Sequence, residues 1–66
     1  MNYKISWNVK DPCLLRSLVR SVGAMGIDVN KQSYCSGGPE LEERLRKGER
    51  LGYLTYYKEK EGRWVK

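Results

Sequence analysis

Between Tyr3 and Val9 the chain alternates without error, with Tyr3, Ile5, Trp7 and Val9 on one side and Lys4, Ser6 and Asn8 on the other. That period of two belongs to a strand with one buried and one wet face. The period then changes at once. Asp11 suits a helix N-cap, where its carboxylate accepts orphan amide protons, and Pro12 suits the first helical position, where no N–H is missed. From there Leu14, Leu15, Leu18, Val19, Val22 and Met25 recur at helical spacing, with Arg16, Ser17, Arg20 and Ser21 opposite, predicting a helix from Pro12 to Met25. A half-buried strand joined directly to an amphipathic helix leaves few architectures open, because the helix stripe must lie flat on the strand's apolar face.

Gly23 and Gly26 loosen the helix end, and Ile27 to Cys35 follows as an extended segment with weaker alternation. Strand, helix and strand suggest a right-handed βαβ unit with parallel strands. That geometry places Cys13 and Cys35 at the same end of the sheet. Ser36-Gly37-Gly38-Pro39 breaks the pattern and starts a second, short helix from Pro39 to Lys47, with Leu41 and Leu45 facing the core and Gly48 at its end.

Tyr53 to Lys66 reads as a hairpin, and Gly62 after polar residues suits the left-handed position that closes a three-residue loop. Glu59 then faces Arg63, Lys58 faces Trp64, Tyr57 faces Val65 and Tyr56 faces Lys66. One ribbon face carries Tyr53, Thr55, Tyr57, Glu59, Arg63 and Val65. The other carries Leu54, Tyr56, Lys58, Lys60, Trp64 and Lys66, aromatic and basic without an acid. Alternation leaves open which of the two is buried. The expected fold is a single α+β domain spanning residues 1–66, in the order β-α-β-α-β-β. It has a three- or four-stranded sheet, two helices on one face and a C-terminal β-hairpin.

At 66 residues there is room for one core only. Thirteen Lys and Arg against eight Asp and Glu leave a net charge of +5, which biases encounters toward nucleic acid or acidic protein surfaces. Two cysteines are too few for a disulfide scaffold and too far apart for a redox or zinc motif, and with no histidine neither a metal site nor a cofactor is expected. No apolar run reaches the roughly 20 residues of a membrane span and the N-terminus lacks a signal-peptide pattern, so a cytoplasmic protein without membrane contact is expected. An unpaired edge of so small a sheet invites a homodimer.

In the second helix Glu40, Glu42 and Glu43 each precede Arg44, Arg46 or Lys47 by four residues. These pairs complement the helix dipole, each adding about 0.2 to 0.5 kcal/mol to helix stability. Helix, short connection and a Tyr-hairpin-Trp ending resemble the last half of a winged-helix DNA-binding domain. That resemblance implies a groove helix over Leu41 to Lys47 and a wing tip over Lys58 to Arg63. Three glutamates at the end a recognition helix uses carry the wrong sign for phosphates, which turns the expectation from duplex DNA toward single strands or RNA.

The ribbon itself carries the stronger signal. Tyr56 and Trp64 can stack on unpaired bases while Lys58, Lys60, Arg63 and Lys66 neutralise phosphates, with Arg44, Lys47 and Arg50 as a late helix cluster. Arg16, Arg20 and Lys31 form a candidate secondary basic patch. Catalytic candidates are thin: Cys35 lacks the arginine of the phosphatase loop, since Leu41 stands there, and Glu59 and Glu61 sit at a turn without a pocket. A non-enzymatic nucleic-acid-associated module is therefore expected. The alternative is a small inhibitor or adaptor, of the sort phages and mobile elements encode, that docks an acidic host protein through the same residues.

Overall fold

The computed structural model describes all 66 residues. In chain order the elements are β1 (Asn2–Trp7), α1 (Pro12–Ser21), β2 (Gln32–Ser36), α2 (Pro39–Arg50), β3 (Leu54–Lys60) and β4 (Arg63–Val65). The strands form one sheet in the order β2-β1-β3-β4, antiparallel throughout. Both helices lie on one face. There Tyr3, Ile5 and Trp7 of β1 meet Leu15 and Val19 of α1 and Leu41 and Leu45 of α2, all buried. The α+β class, the element order and the one-sided helix layer are as expected; a winged-helix core of three helices is not what the chain builds.

The expected parallel βαβ unit is replaced by an antiparallel pair, and the reason lies between the helix and β2. α1 stops at Ser21, with Gly23 at φ +69°, so Met25 leaves the helix stripe and is 84% exposed. The chain then runs back beside β2, with the Met25 amide donating to the Tyr34 carbonyl at 3.0 Å and the Asp28 amide to the Gln32 carbonyl at 3.0 Å. Asp28 closes the reversal: its Oδ1 accepts from the amides of Asn30 (2.8 Å) and Gln32 (2.9 Å), and Lys31 takes φ +59°. The extended segment is thus a return leg, a turn and a strand.

Two consequences follow for the edges and the thiols. The return leg occupies carbonyls on the outer edge of β2, which blunts that edge against pairing with a second copy. Cys35 lies opposite Tyr3 near the start of β1, whereas Cys13 follows the end of β1. The two cysteines therefore do not share an end of the sheet. Both are free, Cys13 exposed and Cys35 buried, and burial pushes the Cys35 thiol pKa up.

α2 also runs past its expected end. Gly48 lies inside the helix, where a Cβ would stand 2.8 Å from Leu54 Cδ2, so this glycine permits the close approach of α2 to the start of β3. The chain leaves the helix at Gly52 instead, at φ +85°.

Candidate functional site

The hairpin has a two-residue loop, one residue shorter than expected. Glu61 (φ +52°) and Gly62 (φ +77°) form it, so Lys60 pairs with Arg63, Glu59 with Trp64 and Lys58 with Val65. Two consecutive positive φ values match a primed turn, whose twist suits the flanking strands. A shift of one residue exchanges the faces of a strand. Leu54, Tyr56, Lys58 and Val65 point toward the helices, while Tyr57 and Trp64 point away. The expected contact face of Tyr56, Lys58, Lys60, Trp64 and Lys66 is therefore divided between the two sides of the sheet.

On the helix side these residues are engaged. Tyr56 is half-buried and packs edge-on against Tyr3, with ring centroids 6.3 Å apart. Lys58 Nζ reaches Glu42 Oε2 at 2.7 Å, and Arg46 Nη2 reaches the same oxygen at 3.1 Å. The Tyr3 hydroxyl donates to Glu42 Oε1 at 3.5 Å. Glu49 accepts from the Tyr56 amide at 3.3 Å and pairs with Lys66 Nζ at 3.3 Å, supplying an acceptor on β3 where the three-residue β4 no longer pairs. Of the three expected ion pairs along α2 only Glu42–Arg46 forms. Arg44 instead donates to the Ser21 carbonyl across the helix layer at 3.2 Å.

The hydrogen bond and charge of Lys58 hold the Glu42 carboxyl below the ordinary glutamate range, helped by Arg46 and opposed by partial burial. Since the folded pKa lies below the unfolded one, the associated stability is present above the unfolded pKa and is lost as pH falls through the folded value. Glu42→Gln is expected to flatten the acid limb of a stability-against-pH curve below about pH 4.5. Denaturant midpoints measured from pH 7 down to pH 2 test it, and an unchanged acid limb would show that Glu42 does not contribute.

The opposite face of the sheet has no helix over it. Lys4 stands at its centre, paired with Tyr34 on β2 and Tyr57 on β3. Its Nζ lies 5.0 Å from the Tyr57 ring centroid and 5.7 Å from that of Trp64. Trp64 leans across to Tyr34, with centroids 5.9 Å apart and planes inclined at 44°. Tyr34 is 44% exposed and Trp64 37%. Two rings thus face one ammonium, and Tyr34 joins the group through Trp64. Asn2 Nδ2 donates to Glu59 Oε1 at 3.0 Å at the margin and occupies the one acid there.

Comparison with protein families, curated proteins and solved structures found no match. No helix is long and apolar enough to cross a membrane. No group of three metal-ligating side chains comes together.

The remaining expected site residues fall in three places. Lys60 and Arg63 sit opposite each other at the exposed hairpin tip. Arg44, Lys47 and Arg50 line an exposed groove on α2 that also holds Glu40, Glu43 and Arg46. Arg16 and Arg20 border a shallow hollow with Cys13 and Ile27; Lys31 is not among its residues, because it belongs to the turn before β2. Lys4, Tyr34 and Tyr57 were not among the expected site residues. Alternation alone put Lys4 on the wet side of β1, but only strand order shows what stands beside it.

Proposed function

We propose that this protein is a non-enzymatic binding module for single-stranded nucleic acid, and that the uncovered sheet face is its contact surface. The observation that carries the reading is the pair of rings, Tyr57 and Trp64, over the Lys4 ammonium, extended by Tyr34 against Trp64. Rings at least partly exposed on an uncovered sheet face offer stacking surfaces to unpaired bases of any sequence, and a lysine among them offers a charge to the connecting phosphate. The hairpin tip supplies further charge at the margin of that face, where Lys60 and Arg63 pair on the side of Lys58 and Val65. Like charges opposite each other across two strands repel. Lys60 and Arg63 have no carboxylate within 4.0 Å, so a bound phosphate would relieve that repulsion. The net charge of +5 favours the encounter.

The test is fluorescence anisotropy with labelled single-stranded RNA, single-stranded DNA and duplex DNA at several salt concentrations. Single strands are expected to bind more tightly than duplex, with affinity falling as salt rises. Tyr34→Ala and Trp64→Ala should each cost about 1 to 3 kcal/mol of binding, the range for one stacked base. The tip double variant Lys60→Ala/Arg63→Ala should mainly reduce the salt dependence. No binding in dilute buffer, or full affinity in both aromatic variants, would leave the reading without support. Capture of a stoichiometric protein that survives nuclease, through Tyr34 and Trp64, would replace it with the inhibitor or adaptor reading.

A further inference from the structure

A second surface lies on the helix side, where the C-terminal ends of α1 and α2 fail to close on each other. A cleft of about 460 Å³ opens there. Leu18 of α1 and Val22, the residue that caps it, line one side, Gly48 and Leu51 the other, with Trp7, Tyr53 and Leu54 also in the lining. One hydrogen bond spans the gap, from Arg44 Nη1 to the Ser21 carbonyl. Local sequence keeps the cleft open, because α1 stops at Ser21 and does not continue across the gap. Leu51 forms the lip and is 59% exposed, a large apolar side chain that the chain's own core leaves uncovered.

The mouth is cationic. Arg44 and Lys47 border it, one helical turn apart, with no acid among the cleft's own lining, and Arg50 continues the row along α2, whose outer side also carries Glu40 and Glu43. None of the three has a carboxylate within 4.0 Å. An apolar slot beside unpaired cations is complementary to a ligand with an apolar group flanked by negative charge. We propose that this cleft docks an acidic segment of another protein, which inserts one apolar side chain between Leu18, Val22 and Leu51 while its carboxylates meet Arg44, Lys47 and Arg50. The lining favours a peptide over a nucleobase. A buried base leaves its hydrogen-bonding edge unpaired against these aliphatic walls, whereas a Leu or Phe side chain has no such group to satisfy. Anchors of this kind, apolar at the centre and charged at the rim, are how small interfaces obtain both affinity and specificity.

The experiment is a titration of the ¹⁵N-labelled protein with an acetylated, amidated peptide carrying a central Leu-Phe pair and two glutamates on each side. Two analogues serve as controls, one with every Glu replaced by Gln and one with Ser-Ser at the centre. Saturable shifts are expected at the amides of Leu18, Val22, Gly48 and Leu51, with each analogue binding at least about tenfold more weakly. Leu51→Ser and Lys47→Glu, both at exposed positions, should reduce peptide affinity by about tenfold or more, and Leu51→Ser, which leaves the net charge as it is, should not alter oligonucleotide binding at Trp64. Absence of shifts at millimolar peptide overturns the proposal. So does equal binding of the Ser-Ser analogue, which would mean charge attraction alone. An oligonucleotide that shifts these four amides in place of the peptide would assign the cleft to nucleic acid.

Discussion

Leu45→Ala is expected to cost about 3 kcal/mol of stability, within the usual range of about 2 to 5 for a buried leucine. Leu45 is fully buried at 0% exposure in the middle of α2, within the cluster that joins that helix to the sheet. Truncation removes the transfer energy of its lost carbons and leaves a cavity that the neighbouring elements can refill only in part. A chain of 66 residues has about 3 to 10 kcal/mol of total stability, so this one change removes a large share of it. Thermal denaturation should show the midpoint falling by about 4 to 8 °C per kcal/mol lost. Leu14→Ala, at a position 41% exposed on the far side of α1, is the matched control and should cost much less. Similar midpoints for the two variants would mean that α2 is not held by this core.

Ser33→Ala is expected to cost about 2 to 3 kcal/mol, although it deletes a single oxygen. Ser33 is fully buried on β2 and serves two partners: its Oγ accepts from Trp7 Nε1 at 2.8 Å and donates to the Gly26 carbonyl at 2.6 Å. Trp7 is itself 5% exposed, so its indole N–H has no water to turn to. Removing the hydroxyl leaves a donor and an acceptor unpaired and loosens the return leg at Gly26 from β2. A double-mutant cycle with Trp7→Phe separates these effects. In the Phe background no indole is orphaned, so Ser33→Ala should cost less there than in the native chain. Equal costs in both backgrounds would dissolve the proposed relay.

These two side chains differ in how far the sequence exposes their role. Leu45 stands at helical spacing from Leu41, and that spacing is enough to place it in the core. Ser33 carries no such sign. A serine in an extended segment is ordinarily wet, and what makes this one buried and indispensable is Trp7, 26 residues away. The same contrast runs through the candidate site. Alternation placed Lys4 on the wet face of β1 and left the side of Tyr57 open, and it could not show that β2 and β3 both flank β1, which is what brings Tyr34, Lys4 and Tyr57 into one row. The hairpin register was also hidden. Glu61-Gly62 lacks the Asn-Gly or Asp-Gly signature of a primed turn, so a three-residue loop was the better local reading. That single residue exchanged the faces of β4 and moved Trp64 away from Tyr56.

What the chain determines by itself is everything that rests on short-range periodicity and on turn and cap chemistry. It sets six elements, two helices with one apolar stripe each, and a first strand with one dry face. Strand direction, strand order and the register of the hairpin were decided only in three dimensions. Each depends on which backbone groups find partners across the fold, and a partner such as the Tyr34 carbonyl for Met25, or Lys4 for Trp64, leaves no mark on the neighbouring sequence.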